Sequence, residues 1–295
     1  MKKMTYSTHY KYEPNMDVKT IAIDLIYVIK RNLDNVYNID LMKKMLLTTA
    51  TGYETETEFI NEKLRRLIIG YAIQLRDNGN TTTVRFSLTI PKENLVEDYS
   101  IDSAIEFFKN AVFNPYLEGN GFSKEQFELE KEGLRKNMIF SKNSVYAEAE
   151  RKFMKYVDPE QKIRKDYEYN LELIEKTTRE TAYEFYKENI LNNNYQLYIG
   201  GCVEESTANR IYEQYFKQEV DEFEVELDYY NFFKPTKYSY HEEEFNFSQS
   251  ALFMEYLVED LNKENLEYFS LIKVNIPKTN TIIFLIKNQQ NSTMV

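Results

Sequence analysis

The fold is decided by a stretch near residue 80, which reads Asp77-Asn78-Gly79-Asn80-Thr81-Thr82-Thr83-Val84-Arg85-Phe86-Ser87-Leu88-Thr89-Ile90. Asn and Gly tolerate positive φ angles, so the four residues from Asp77 to Asn80 predict a tight turn. From Val84 to Ile90 apolar and polar residues alternate, which is the pattern of a strand with one buried face. Together with the run 71–76 before it, this stretch predicts an antiparallel hairpin.

The rest of the chain predicts strands and helices in mixed order. Between Thr20 and Lys30 apolar residues fill the odd positions, as in a strand with one face in the core. A further strand is predicted at 195–201, where two glycines end it. Helical spacing predicts seven helices, over 39–47, 56–69, 101–112, 123–140, 145–156, 177–186 and 208–216. Mixed runs of this kind with a hairpin indicate an α+β fold rather than a doubly wound α/β sheet.

Two of these helices carry more detailed predictions. The helix at 56–69 is expected to bury five apolar side chains, namely Phe59, Ile60, Leu64, Leu67 and Ile68. The helix at 123–140 is expected to begin with a capping box. In that motif Ser123 caps the backbone amide of Gln126, and the side chain of Gln126 reaches back.

The composition changes after residue 217. Residues 219–226 form an acidic run, and we interpret 218–238 as a linker that follows a first domain at 1–217. The remaining 239–295 give one strand pattern at 250–256 and one helix pattern at 262–274. About 60 residues do not readily bury a core of their own. We therefore interpret them as an incomplete second domain.

Composition argues against several classes of function. The 295 residues carry 37 Lys and Arg against 48 Asp and Glu, a net charge of −11. This balance disfavours a nucleic-acid binder and a protein that docks on an anionic membrane. The N-terminus lacks the apolar stretch of a signal peptide, and no apolar run approaches the ~20 residues of a membrane-spanning helix. We expect a cytoplasmic protein.

Histidine and cysteine, which often serve as general base, nucleophile or metal ligand, are scarce in this chain. His9 and His241, the two histidines, lie far apart in the sequence. His241 begins a His-Glu-Glu-Glu run, but consecutive residues of a strand point to opposite faces and do not converge on a metal. Cys202, the single cysteine, excludes a disulfide framework. We interpret it as a small buried side chain, with a catalytic thiol as the weaker alternative.

A longer arrangement of residues is more informative. A helix that stops at Asn114-Pro115 is followed by a short loop and by the pattern Phe-x-x-x-x-Phe-x-x-Glu-Lys-x-x-Leu, which begins at Phe122. These residues resemble the matching segment of the M16 (insulinase, or pitrilysin-like) metallopeptidases, and in particular the bacterial branch with non-catalytic YfmF-like and AlbE-like subunits. Further matching pieces lie at 18–21, 145–147, 173–178, 197–201 and 248–252. The resemblance implies an M16-type (LuxS/MPP-like) domain, a mostly antiparallel sheet with helices packed on one face, followed by an incomplete second copy.

Active members of this family hold zinc with a helical His-x-x-Glu-His motif and a Glu on a later helix. Positions i and i+4 share one helix face, so two imidazoles meet one ion while the intervening Glu activates its water. The resemblance places this motif on residues 40–44, with Asp40 and Lys44 at the histidine positions and Lys43 at the general-base position. The later ligand position falls on Asn137. Because ammonium groups repel a dication, we expect no metal site, no catalytic residues and no peptidase activity in this chain alone.

The family also contains zinc-free subunits, and the resemblance implies this role here. The expected partner is a zinc-bearing M16 homologue with a His-x-x-Glu-His motif, so zinc is expected only in that partner. The pair would process or degrade an extended or unstructured peptide, in bacteriocin maturation or in a YfmF-like role tied to translation factors. After Pro277 the expected glycine-rich turn and Arg-bearing helix are missing, which suggests a truncated second domain. The alternative is a stand-alone peptide- or protein-binding scaffold, or a truncated homologue without activity.

Overall fold

The computed structural model describes residues 2–227, apart from residues 79, 94, 98 and 163, together with residues 241 and 242. Within these residues the strands are β1 (Lys2–Ser7), β2 (Lys11–Pro14), β3 (Thr20–Lys30), β4 (Gly70–Asn78), β5 (Thr81–Pro91), β6 (Leu117–Glu118), β7 (Gly121–Phe122), β8 (Gln196–Gly201) and β9 (Glu222–Leu227). The α-helices are α1 (Val36–Thr48), α2 (Glu56–Arg65), α3 (Ile101–Phe113), α4 (Lys124–Ser141), α5 (Val145–Val157), α6 (Tyr167–Lys176), α7 (Arg179–Tyr186) and α8 (Glu205–Ile211). A 3-10 turn, Leu33–Asn35, precedes α1, and π-helical turns at Lys187–Leu191 and Tyr212–Phe216 follow α7 and α8.

Five strands form the main sheet, in the order β2-β8-β3-β5-β4. Neighbouring strands are antiparallel, except that β2 and β8 are parallel. Only two residues connect β4 to β5, where Asn78 lies opposite Thr81, which confirms the predicted hairpin. The odd residues of β3, from Ile21 to Ile29, are buried as their alternation predicts.

The hydrophobic core joins this sheet to the helices. Helix α3 packs against β5, α1 packs against β4, and α7 packs against α1. The core is rich in fully buried aromatic side chains, among them Tyr27, Phe59, Phe86, Phe107 and Phe108. A mainly antiparallel sheet covered by helices confirms the predicted α+β fold.

Helix α2 is shorter than predicted. It ends at Arg65 instead of residue 69, because Leu67 adopts the left-handed conformation with φ of 52° and stops the helical turn. Phe59 and Ile68 are buried as predicted, but the prediction is wrong for Ile60, Leu64 and Leu67, which are exposed. Ile60 and Leu64 are four residues apart and therefore share the outer face of the helix.

The start of α4 also differs from the prediction. The Ser123 hydroxyl donates to Glu118 Oε1 over 3.0 Å, and the backbone amide of Lys124 donates to Glu118 Oε2 over 3.1 Å. The Gln126 side chain donates to Glu130 Oε1 over 3.2 Å. The carboxylate of Glu118, which lies outside the helix, thus supplies the cap that we predicted within a Ser123–Gln126 box, and that prediction is wrong.

Several elements carry no clear sequence signal. Strand β9 lies inside the acidic segment interpreted as a linker, and it pairs with β1 in antiparallel register. In this ribbon Lys3 forms a 3.0 Å ion pair with Glu224, and Tyr6 stacks on Phe223. Helix α6, Tyr167–Lys176, lies in a segment for which no helix is predicted. Alternating glutamates can therefore belong to a strand when a basic strand lies beside them.

The chain divides into two compact units. The first comprises Met1–Arg135 and Tyr169–Tyr230, and the second comprises Lys136–Glu168 and Asn231–Val295. The main sheet and its core belong to the first unit. In the second unit the ammonium of Lys142 lies 3.9 Å from the ring centre of Tyr167.

The proposed division of the chain into domains stays a prediction. The boundaries in question are 1–217 for the first domain, 218–238 for the linker and 239–295 for the second domain. The strand predicted at 250–256, the helix predicted at 262–274 and nearly all of the incomplete second domain lie outside the described residues.

Candidate functional site

Three of the four positions matched to the zinc site lie on α1. The helix follows a 3-10 turn whose start is capped by Asn32, which accepts from the backbone amide of Asp34 over 2.9 Å. The buried face of α1 includes Leu41, Met42, Met45 and Leu46, none of which has exposed surface. Asp40, Lys43 and Lys44 are all half-buried, and we refer to these three residues as the polar flank of α1.

Lys44 is held by an ion pair with α4. Its ammonium contacts Glu130 Oε2, and the other carboxylate oxygen of Glu130 accepts from Gln126. The Lys44 side chain is 38% exposed and that of Glu130 is 19% exposed, so the pair is partly shielded from water. An ion pair of this kind links two helices and provides Lys44 with its own counterion.

The environment of the Asp40 carboxyl differs from that of the Lys44 ammonium. Its side chain lines a cleft and makes no hydrogen bond or ion pair within the part of the chain that the structure describes. Burial raises the pKa of the Asp40 carboxyl. The nearby charge of Asp77 raises this pKa further, whereas Lys43 and Lys44 lower it. The carboxylate is therefore less well compensated than an ordinary surface aspartate.

Asn137, the fourth position, lies on α4 two helical turns beyond Glu130 and is exposed. It belongs to the second compact unit, whereas the polar flank belongs to the first. The structure thus groups Asp40, Lys43 and Lys44 on one helix. The matching of all four residues to a zinc site stays a prediction.

The donor set of the polar flank does not fit zinc. Zinc sites in proteins use imidazole, thiolate and carboxylate ligands, and the polar flank offers one carboxylate and two ammonium groups. Within the described ranges, no group of three or more His, Cys, Asp or Glu side chains is arranged to hold a metal ion. We derive no metal-dependent step for this chain.

The sequence offers three other candidate residues, namely His9, His241 and Cys202. His9 is exposed, and its ring is tilted against Tyr10 and edge-on to Tyr212, with ring centres 4.9 and 5.0 Å away. His241 stacks on Tyr156 at 3.7 Å. Cys202 is only half-buried, and its Sγ lies 3.9 Å from Met16 Sδ. None of these contacts places a base beside a nucleophile.

Local sequence patterns do not identify the residues that surround the polar flank. Glu130 belongs to the pattern that begins at Phe122, whereas Arg31 and Thr82 belong to no motif. The opposite charges of Lys44 and Glu130 are a possible signal, but the two residues are 86 positions apart. Every helix among the described residues is too short or too polar to span a bilayer.

Comparison with known proteins places this site in context. No protein-family model matches the chain. The "Probable inactive metalloprotease YmfF" of Bacillus subtilis (strain 168) is 24% identical over 212 residues, which cover 68% of this chain and 48% of that protein. The chain thus spans about half the length of this curated relative.

Solved structures with low sequence identity share the fold. A conserved protein from Enterococcus faecalis V583 matches with a TM-score of 0.64 and 15% identity, over 87% of this chain and 59% of that chain. The inactive domain of an M16 peptidase from Pseudomonas fluorescens matches with a TM-score of 0.55 and 14% identity, over 88% and 57%. A protease from Helicobacter pylori matches with a TM-score of 0.52 and 13% identity, over 86% and 57%.

The solved structures define the class of fold, and this chain has the M16-like fold that the sequence predicts. In sequence it is similar to YmfF, a probable inactive metalloprotease.

Proposed function

We propose that this chain is the zinc-free partner of a zinc-bearing M16 homologue, and that the two together process or degrade a peptide. The observation that carries the proposal is the ion pair between Lys44 and Glu130. It lies on the helix to which the resemblance assigns the zinc motif, in a domain that keeps the M16 fold.

Charge balance explains why this ion pair favours a binding role. A metal site needs a cation from solution to offset its ligands, whereas Lys44 brings a permanent positive charge that Glu130 offsets. A dication close to Lys44 and Lys43 would meet repulsion from both ammonium groups. The buried face of α1 is nevertheless fully packed, so the replacement of charges has not disturbed the core.

The β4 edge of the main sheet supports the proposal of peptide binding. Strand β4 is the last strand in the order β2-β8-β3-β5-β4, and among the described residues only β5 pairs with it. An extended peptide can add to such an edge through main-chain hydrogen bonds. We propose that the peptide substrate binds there, in the cytoplasm, in bacteriocin maturation or in a YfmF-like role.

Co-purification tests the proposal. The tagged chain is co-expressed with a His-x-x-Glu-His homologue from the same genome, and we expect a 1:1 complex that cleaves an unstructured peptide in a chelator-sensitive way. A partner whose motif Glu is replaced by Gln serves as the control, because it should form the complex without cleaving. Stoichiometric zinc binding and cleavage by the chain alone would contradict the proposal. Absence of any such complex would favour the stand-alone scaffold.

A further inference from the structure

A cleft of about 200 Å³ opens beside the polar flank, at the hairpin end of the main sheet. Its walls come from the ends of β3 and β4, the start of β5, the first turns of α1, and α7. The apolar wall comprises Ile29, Val36, Ile39, Leu75 and Phe185. The charged side chains at the cleft are Lys30, Arg31, Asp40 and Asp77.

Three of these charges are either paired with an opposite charge or screened by water. Arg31 Nε forms a 3.0 Å ion pair with Asp77 Oδ2, and Thr82 donates to Asp77 Oδ1 over 2.6 Å. Lys30 is exposed, so water screens its charge. The fourth charge, that of Asp40, faces the cleft with no hydrogen bond or ion pair from the described residues.

The two lysines that follow Asp40 on α1 compensate its charge only in part. Lys44 is engaged by Glu130, and Lys43 follows Asp40 by three positions on the same helix. Both lower the pKa of Asp40, yet burial outweighs them and the net pKa is raised. A cation brought into the cleft would therefore find a carboxylate that gains from being paired.

The shape and chemistry of the cleft restrict which chemical group can carry a cation into it. Apolar walls favour an alkyl stem, as lysine and arginine side chains have. Leu75 and Asp77 belong to β4, whose outer edge is paired with no other strand among the described residues. In an extended chain every second side chain points to the same face, so a peptide along β4 can direct one of them toward this cleft.

We propose that this cleft binds a lysine or arginine side chain of an extended peptide, with its cationic head at Asp40 and its alkyl stem against the apolar wall. The inference rests on the proposed function in one respect, that the bearer of the cation is a peptide. It adds the identity of one recognised side chain and the residue that selects it.

Peptide binding to the full chain tests this proposal. The probe is a fluorescein-labelled, end-blocked nine-residue peptide of Ala and Thr with one central Lys, and binding is measured by fluorescence anisotropy. Matched peptides carry Arg, norleucine or Glu at the same position. A charge-assisted contact of ordinary strength predicts that the Lys and Arg peptides bind about tenfold more tightly than the norleucine peptide.

Variants assign this preference to the cleft. Asp40→Asn should reduce the preference for Lys over norleucine to within about twofold, because only the charge is removed. Val36→Phe should weaken binding of the Lys peptide by filling the cleft while Asp40 stays in place. Asp17→Asn removes an exposed carboxylate elsewhere and should leave the preference unchanged. Thermal melting of each variant verifies that it is folded.

Three outcomes would overturn the inference. They are equal binding of the Lys and norleucine peptides, an unchanged preference in folded Asp40→Asn, and binding of free butylammonium as tight as that of the Lys peptide. The last outcome would assign the cleft to a free amine instead of a peptide side chain. A failure of the proposed function is recognised separately, because the complex with the zinc-bearing partner should form equally well with Asp40→Asn.

Discussion

The buried face and the polar flank of α1 differ in what they do for the protein. Leu41, Met42, Met45 and Leu46 are fully buried and hold the helix against the core. Asp40, Lys43 and Lys44 lie at the half-buried side of the same helix and contribute little to its packing. The fold depends on the four buried residues, whereas metal binding would depend on the three residues of the polar flank. A chain can therefore keep the fold while its charged residues change.

The largest effect is expected on the buried face. Met42→Ala should lower the free energy of unfolding by about 2–5 kcal/mol, because it leaves a cavity in a closely packed core. Denaturant titration of the full chain measures this loss. Leu64→Ala, on the exposed side of α2, is the control and should change stability by less than about 0.5 kcal/mol. Losses of equal size at Met42 and Leu64 would contradict the distinction.

A smaller effect is expected when the ion pair of the polar flank is broken. Lys44→Met leaves the mostly buried carboxylate of Glu130 with Gln126 alone, which should lower the free energy of unfolding by about 1–2 kcal/mol. Adding Glu130→Gln should recover part of this loss. The double-mutant cycle measures the coupling, and strictly additive losses would show that the two residues do not stabilise one another.

The smallest effect concerns Asp40 and pH. A carboxyl group whose pKa is higher in the folded than in the unfolded state destabilises the fold when ionised, and this cost disappears as pH falls through the folded pKa. Since burial raises the pKa of Asp40, Asp40→Asn should be slightly more stable than the parent at pH 7, by less than about 1 kcal/mol. Unfolding measurements at pH 7 and pH 4 should show the advantage shrinking toward acid. If the advantage instead grows toward acid, folding lowers the pKa of Asp40, and the prediction is wrong.

Local patterns predicted those elements that depend on local interactions. The alternation in β3 and the short turn between β4 and β5 specify their own geometry, and both are as predicted. Strand β9 was not predicted because its glutamates are typical of a solvated segment. They form a strand because β1, a basic strand some 220 residues earlier, pairs with them. The end of α2 was missed because Leu67, a non-glycine residue, takes the left-handed conformation that usually signals glycine.

In the candidate site too, local sequence predicts some features, whereas others depend on contacts between distant segments. The family pattern pointed to Asp40, Lys43 and Lys44, and helical spacing alone is enough to group them. The contact between Lys44 and Glu130 and the cleft near Asp40 depend on distant segments of the chain. Only the tertiary structure brings these segments together.

The pairing of β1 with β9 has a consequence for synthesis of the protein. Lys3 leaves the ribosome long before Glu224, to which it is bound in the finished ribbon, and 221 positions separate the two. At roughly 5–20 residues per second, the nascent β1 waits roughly 10–45 s for its partner strand. During that interval a chaperone or a neighbouring nascent chain has access to an open strand edge.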